Sequence, residues 1–243
     1  MGYNTDGEGF VESILMSEPG RHEPFISSLA NMDVLLLGAG GSARAVAFHV
    51  ADLLERGQLI ICNRTIAPAE SLAEEIRRAG VRAAPISESE IVAWAPKVGL
   101  IINSTTKGQG GVRKLPAGGV TSLEPYSALA PASPPTVAEH EFKRTWATAA
   151  QADIAVNSDL SIRIAKSVPQ NVRFYDLIYY PDETVFRRHG RLTGHRTMNG
   201  KAMIIRQAAL AFSRHVCAAE LKSKCLDKPE IFQSVLKTMR ASW

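Results

Sequence analysis

An α/β fold, a doubly wound parallel sheet followed by C-terminal helices, is what this sequence of 243 residues predicts. Three observations carry the expectation. Short apolar runs alternate with helix-period segments through the first hundred residues, the pattern of parallel strands covered by helices on both faces. One of those runs, residues 33–37, passes directly into the glycine-rich turn Gly38-Ala39-Gly40-Gly41-Ser42-Ala43. Two amphipathic segments, 199–221 and 229–240, then close the chain.

Taken in order, residues 6–16 open with Thr5 three positions ahead of Glu8, a capping-box pattern that starts a helix. Residues 33–37 are apolar and run into glycine, as a strand buried on both faces does. Ala45, Val46, Val50, Leu53 and Leu54 form the stripe of a helix over 42–56, closed by Gly57. A second strand spans 59–62, and a helix over 69–78 stops at Gly80. Strands over 81–84 and 100–103 follow. Residues 108–136 are crowded with glycine and proline and read as a long loop. Helices are expected near 139–150 and 160–167, then an inner strand over 172–178. Of the last two helices, 229–240 has proline in its first turn.

Composition narrows the function. With 45% hydrophobic and 21% charged residues, the chain is neither disordered nor fibrous. Cys62, Cys217 and Cys225 are odd in number and unpatterned, which suits a reducing cytoplasm better than secretion. No apolar run approaches a membrane span, and the first residues lack the basic and apolar regions of a signal peptide. A formal charge of +4 is too mild for a dedicated nucleic-acid binder. The basic cluster Arg187, Arg188, His189, Arg191, His195 and Arg196 has no interleaved aromatics and reads as a solvated loop. The histidines and cysteines show no metal-ligand spacing, so no metal is expected.

The glycine turn carries the most chemistry. In a strand–turn–helix context, Gly38 permits a tight turn and Gly40 lets the backbone approach a diphosphate. Ala43 allows close packing of helix on strand, and the unpaired amides of the helix start face the anion. This is the Rossmann-type dinucleotide fingerprint. About 20 residues on, such folds place an acid that holds a ribose 2′-hydroxyl. Here the second strand ends in Asn63-Arg64-Thr65. Arg64 can fork onto a 2′-phosphate, with Asn63 and Thr65 adding neutral hydrogen bonds, so NADP is favoured over NAD.

Several further motifs stand in a fixed order: Gly2-Tyr3-Asn4-Thr5-Asp6, the glycine turn, Asn63-Arg64-Thr65, and Asn103-Ser104-Thr105-Thr106-Lys107-Gly108. Asp176-Leu177-Ile178-Tyr179-Tyr180-Pro181 follows, then Asn199-Gly200-Lys201-Ala202-Met203 running on to Gln207. Together they resemble the shikimate (and quinate/shikimate) dehydrogenase family. The resemblance implies NADPH-dependent reduction of 3-dehydroshikimate to shikimate, a small-molecule substrate, and no nucleic-acid or membrane partner. It implies a catalytic Asp6, paired with a lysine at the reacting hydroxyl, and substrate contacts from Asn4, Thr5, Tyr179 and Gln207. On the cofactor side it implies Ser104, Thr105, Gly200 and Met203 beside the glycine turn.

In that family the Asn-Thr-Asp motif lies well inside the chain, behind a substrate domain. Here it begins at residue 4, so most of that domain and its lysine are expected to be missing and turnover impaired. The expected organisation is a linker helix over 1–32, left from the substrate domain, and an NADP-binding domain over 33–198 with an insertion over about 111–170. C-terminal helices over 199–243 complete it. An apolar face left open by the missing domain would favour self-association. Lys107 and Lys201 read as solvated or phosphate-facing. Two alternatives stay open, a non-catalytic NADP-binding or regulatory remnant and an unrelated Rossmann dehydrogenase.

Overall fold

The computed structural model describes residues 4–17 and 22–242, so Gly2 and Tyr3 of the first motif lie outside the described residues. The elements are α1 (Asp6–Leu15), β1 (Val34–Leu37), α2 (Gly41–Ala51), β2 (Gln58–Cys62), α3 (Ile66–Arg78), β3 (Arg82–Ile86), α4 (Ile91–Trp94) and β4 (Leu100–Asn103). After these come β5 (Val112–Lys114), β6 (Val120–Ser122), α5 (Ala147–Ser167), β7 (Arg173–Asp176), α6 (Val185–Leu192) and β8 (Thr197–Met198). The helices α7 (Lys201–Ala211), α8 (Ala218–Ser223) and α9 (Pro229–Ala241) end the chain.

The main sheet has the order β3-β2-β1-β4-β7-β8, and every pairing in it is parallel. This is the doubly wound order expected from the alternating pattern, and its direction of winding reverses between β1 and β4. Each residue of β1 and β4 is buried, since helices cover both faces and leave no solvent side to read as alternation. Val34, Leu36, Leu59, Ile61 and Leu100 join α1, α2 and α3 in one core cluster. Leu35, Leu37, Ile60 and Ile101 face the opposite cluster beneath α5 and α6.

Several local expectations needed correction. Thr5 makes no side-chain cap on α1; its hydroxyl donates to the Gln207 carbonyl at 3.0 Å, and the Asn4 side-chain oxygen accepts from the Asp6 amide at 2.9 Å. The helix expected to reach residue 56 ends at Ala51, and Leu54 reaches the core from a turn instead. The loop over 108–136 contains a β5–β6 hairpin. One long helix, α5, replaces the two short ones expected between 139 and 167. Its polar middle looked like a break, but Asn157 and Ser161 are buried there. Asn157 bonds the backbone of Ser127, Ala130 and Pro131, and so pins that loop against α5.

The basic cluster is not a loop. Thr184 caps α6 by accepting from the Arg187 amide, and Phe186 and His189 turn inward. The His189 ring meets the Ser161 hydroxyl at 2.8 Å, and burial holds its pKa below the usual imidazole value. Arg191 is spent on Glu183 at 2.6 Å. Among the described residues, no helix is long and apolar enough to cross a membrane.

Candidate functional site

Where the winding reverses, the carboxyl ends of β1 and β4 open a crevice, the place where such sheets take ligands. Gly38 leaves β1 with φ of +109°, in the region glycine adopts without strain. A Cβ there would also lie 2.7 Å from the Ser104 hydroxyl oxygen. Ser104 fastens the two strand ends, because its amide and its hydroxyl both donate to the Leu37 carbonyl, at 2.8 and 2.7 Å. Gly40 and Gly41 differ from Gly38. A Cβ at either would meet nothing within 4 Å, so the first turn of α2 faces open space with its orphan amides. Ala43, one position further, is buried against the core.

One cleft of about 310 Å³ runs from Gly38, Ala39 and Gly40 past Asn63, Arg64 and Thr65 to Glu88 and Lys107. The Asn63 side-chain amide donates to the Thr65 carbonyl at 2.8 Å and shapes the turn after β2. Arg64 stands exposed on that turn, at the position where an acid would hold a ribose hydroxyl. Arg44, by contrast, is engaged by Glu75 of α3. A second cleft of about 340 Å³ shares Ser104 with the first and is lined by Ser42, Gln109, Gly110, Tyr179 and Tyr180.

The loop after β4 is built on Asn103 and Asp176. The Asn103 side-chain oxygen accepts from the Thr105 amide and hydroxyl, at 2.9 and 2.7 Å. Its amide nitrogen donates to the Lys107 carbonyl at 3.2 Å and to Asp176 Oδ1 at 3.0 Å. Asp176 also accepts from the Thr184 hydroxyl and the Ile178 amide. Burial pushes the Asp176 carboxyl up to about 7, against the pull of these hydrogen bonds.

At the other side of α2, Ser42 donates to the Asp6 carboxylate at 2.9 Å, and Thr5 reaches Gln207 of α7. The structure thus gathers Asp6, Thr5, Ser42 and Gln207 where α1, α2 and α7 meet. Gly200 donates its amide to the Ile178 carbonyl at 3.1 Å, seating α7 beside the end of β7. Met203 is buried in the core, and neither it nor Gly200, Asn4, Asp6 or Gln207 lines the two clefts.

Sequence reasoning placed Lys107 in solvent or on phosphate. It is buried instead, with its ammonium 2.6 Å from Glu88. Glu88 and Arg113 were not foreseen in the crevice. The position of Glu88, two residues past β3, was the available signal, since strand ends feed this crevice.

The profile of the Shikimate / quinate 5-dehydrogenase family matches residues 22–114. The shikimate dehydrogenase (NADP(+)) of Carboxydothermus hydrogenoformans is 33% identical over 214 residues, 88% of this chain and 57% of that protein. Its counterpart from Caldanaerobacter subterraneus is 27% identical, over 87% of this chain and 56% of that protein. Among solved structures, shikimate 5-dehydrogenase from Listeria monocytogenes, in complex with shikimate and NAD, shares the fold. Its TM-score is 0.59 at 19% identity, over 87% of this chain and 57% of that one. The Thermus thermophilus enzyme, in complex with NADP(H) and shikimate, gives a TM-score of 0.53 at 25% identity, over 98% and 63%. The chain spans somewhat more than half the length of these relatives. By its ordered motifs and by its fold, this chain is similar to the shikimate/quinate dehydrogenases, whose family profile matches its residues 22–114.

Proposed function

We propose that the chain binds NADP(H) across the crevice and is the cofactor-binding part of a shikimate dehydrogenase-like oxidoreductase that interconverts 3-dehydroshikimate and shikimate, or the quinate pair. The observation that carries the reading is the contrast within one cleft. Gly40 and Gly41 leave room for a diphosphate at the start of α2, and exposed Arg64 stands where an NAD site would carry an acid. These residues fit the group. The amides of Gly38 to Ala43 would hold the diphosphate, Asn63, Arg64 and Thr65 the 2′-phosphate, and Ser104, Thr105, Gly200 and Met203 the nicotinamide side.

NADPH, when bound, supplies the hydride. The chain's own residues orient the acceptor: Tyr179, Gln207, Asn4 and Thr5 would bind ring hydroxyls as neutral partners. Asp6, with one carboxylate oxygen fixed by Ser42, would use the other to hold the group that protonates the developing alkoxide.

One observation favours a second reading, a binding module without turnover. Asp6 needs a cationic partner, yet Lys107 is bound to Glu88 and Lys201 to Asp182 at 2.6 Å each. NADP⁺-dependent oxidation of shikimate or quinate, run beside a cofactor titration, separates the two. Turnover abolished by Asp6→Asn supports the enzyme, binding without turnover supports the module, and absence of binding overturns both.

A further inference from the structure

The first cleft, which also holds Arg64, contains a largely buried ion pair. Lys107 Nζ lies 2.6 Å from Glu88 Oε1, with side-chain exposures of 10% and 15%. The same ammonium donates to the Ala130 carbonyl at 2.7 Å. Among the described residues nothing hydrogen-bonds the second carboxylate oxygen, Glu88 Oε2, although Glu88 lines the cleft. Leu123, Ala128, Ala132 and Pro134 give the cleft an apolar part, from the segment that Asn157 pins to α5, while Thr106 and Arg113 line it as well.

A partly apolar cleft with one unspent carboxylate acceptor suits a planar ring that carries an exocyclic amine. The same cleft holds the proposed 2′-phosphate anchor, where the adenosine half of a dinucleotide belongs. We propose that Glu88 reads the 6-amino group of the cofactor's adenine through Oε2, and that Lys107 fixes the carboxylate for this by holding Oε1. The inference rests on the dinucleotide reading and deepens it. Lys107 has a second effect: it neutralises a carboxylate that would otherwise repel the neighbouring phosphate. Because the Glu88 side chain is only 15% exposed, a base that gives it no donor leaves a largely buried acceptor unsatisfied, a costly mismatch.

The test uses adenosine 2′,5′-bisphosphate and its purine-riboside counterpart, which differs only by lacking the 6-amino group. Both are titrated calorimetrically against the wild-type protein and Glu88→Gln. In the variant, Lys107 still holds the amide oxygen and turns the amide nitrogen, a donor, toward the ligand. The wild-type protein is expected to bind the amino ligand about tenfold tighter or more, and the variant to bind the two within about twofold. Equal binding of both ligands by the wild-type protein overturns this inference alone. Failure of both to bind overturns the dinucleotide reading and takes this inference with it. The wild-type comparison needs no variant, so a folding defect in Glu88→Gln leaves it intact.

Discussion

The Ser42 hydroxyl and the Asp6 carboxylate meet at 2.9 Å and join the first turns of α2 and α1. One residue thus belongs to the phosphate-binding turn and the other to the motif assigned to catalysis. On the proposed reading, Asp6→Asn keeps the contact and removes the charge. Turnover is expected to fall about a hundredfold while NADP⁺ affinity stays within about twofold. Steady-state kinetics beside a binding titration checks this, and a parallel loss of affinity would show Asp6 to be part of the cofactor scaffold.

Gly38 and Gly40 should respond in opposite ways. Gly38→Ala meets the Ser104 hydroxyl and a φ of +109°, so it should lower stability by about 1–3 kcal/mol. Gly40→Ala keeps an ordinary φ of −81° and points its methyl into open space, so stability should change by less than about 1 kcal/mol. Its cost appears in NADP⁺ affinity, about tenfold or more, because the methyl takes the diphosphate's place. Urea melts and titrations of the two variants separate these effects.

Asp176 gives a pH signature. Its folded pKa, about 7, lies above its ordinary value of 3.8 because the carboxyl is buried. Its contribution to stability is therefore fully present below about 3.8, declines as pH rises, and is gone above about 7. Asp176→Asn removes that titration, so raising the pH through this window should shift relative stability toward the variant. Urea unfolding at several pH values measures it; identical pH slopes for both proteins would contradict the assignment.

The cysteines should sort by environment. Burial, reinforced by the Glu88 carboxylate, pushes the Cys62 thiol up to about 12, whereas Cys225 is exposed. Alkylation of the native protein under mildly alkaline conditions should mark Cys225 first and leave Cys62 for denaturant. Early modification of Cys62, read by peptide mass, would mean that the β2 end opens readily.

How far the sequence foretold this structure depended on whether each signal was local. The strands β1, β2 and β4 were readable because both faces are buried and their runs are uninterrupted. The glycine turn was readable because its geometry is dictated by adjacent residues. The continuity of α5 was hidden, since its buried Asn157 is satisfied by a loop 26 to 30 positions earlier in the chain. For the same reason Glu88 escaped notice: its partner Lys107 lies 19 residues away, and only the fold brings the two into one cleft. The short α6 and β8 were missed because arginines on the outer face of α6 masked the inward Phe186 and His189.

On the proposed reading, the crevice holds a dinucleotide whose 2′-phosphate is recognised by Arg64. Titrating NADP⁺ and NAD⁺ against the wild-type protein and Arg64→Ala tests it most directly. NADP⁺ should bind the wild-type protein at least about tenfold tighter than NAD⁺, and Arg64→Ala should erase most of that preference. Equal affinities in the wild-type protein, or a preference unchanged by the substitution, would contradict it.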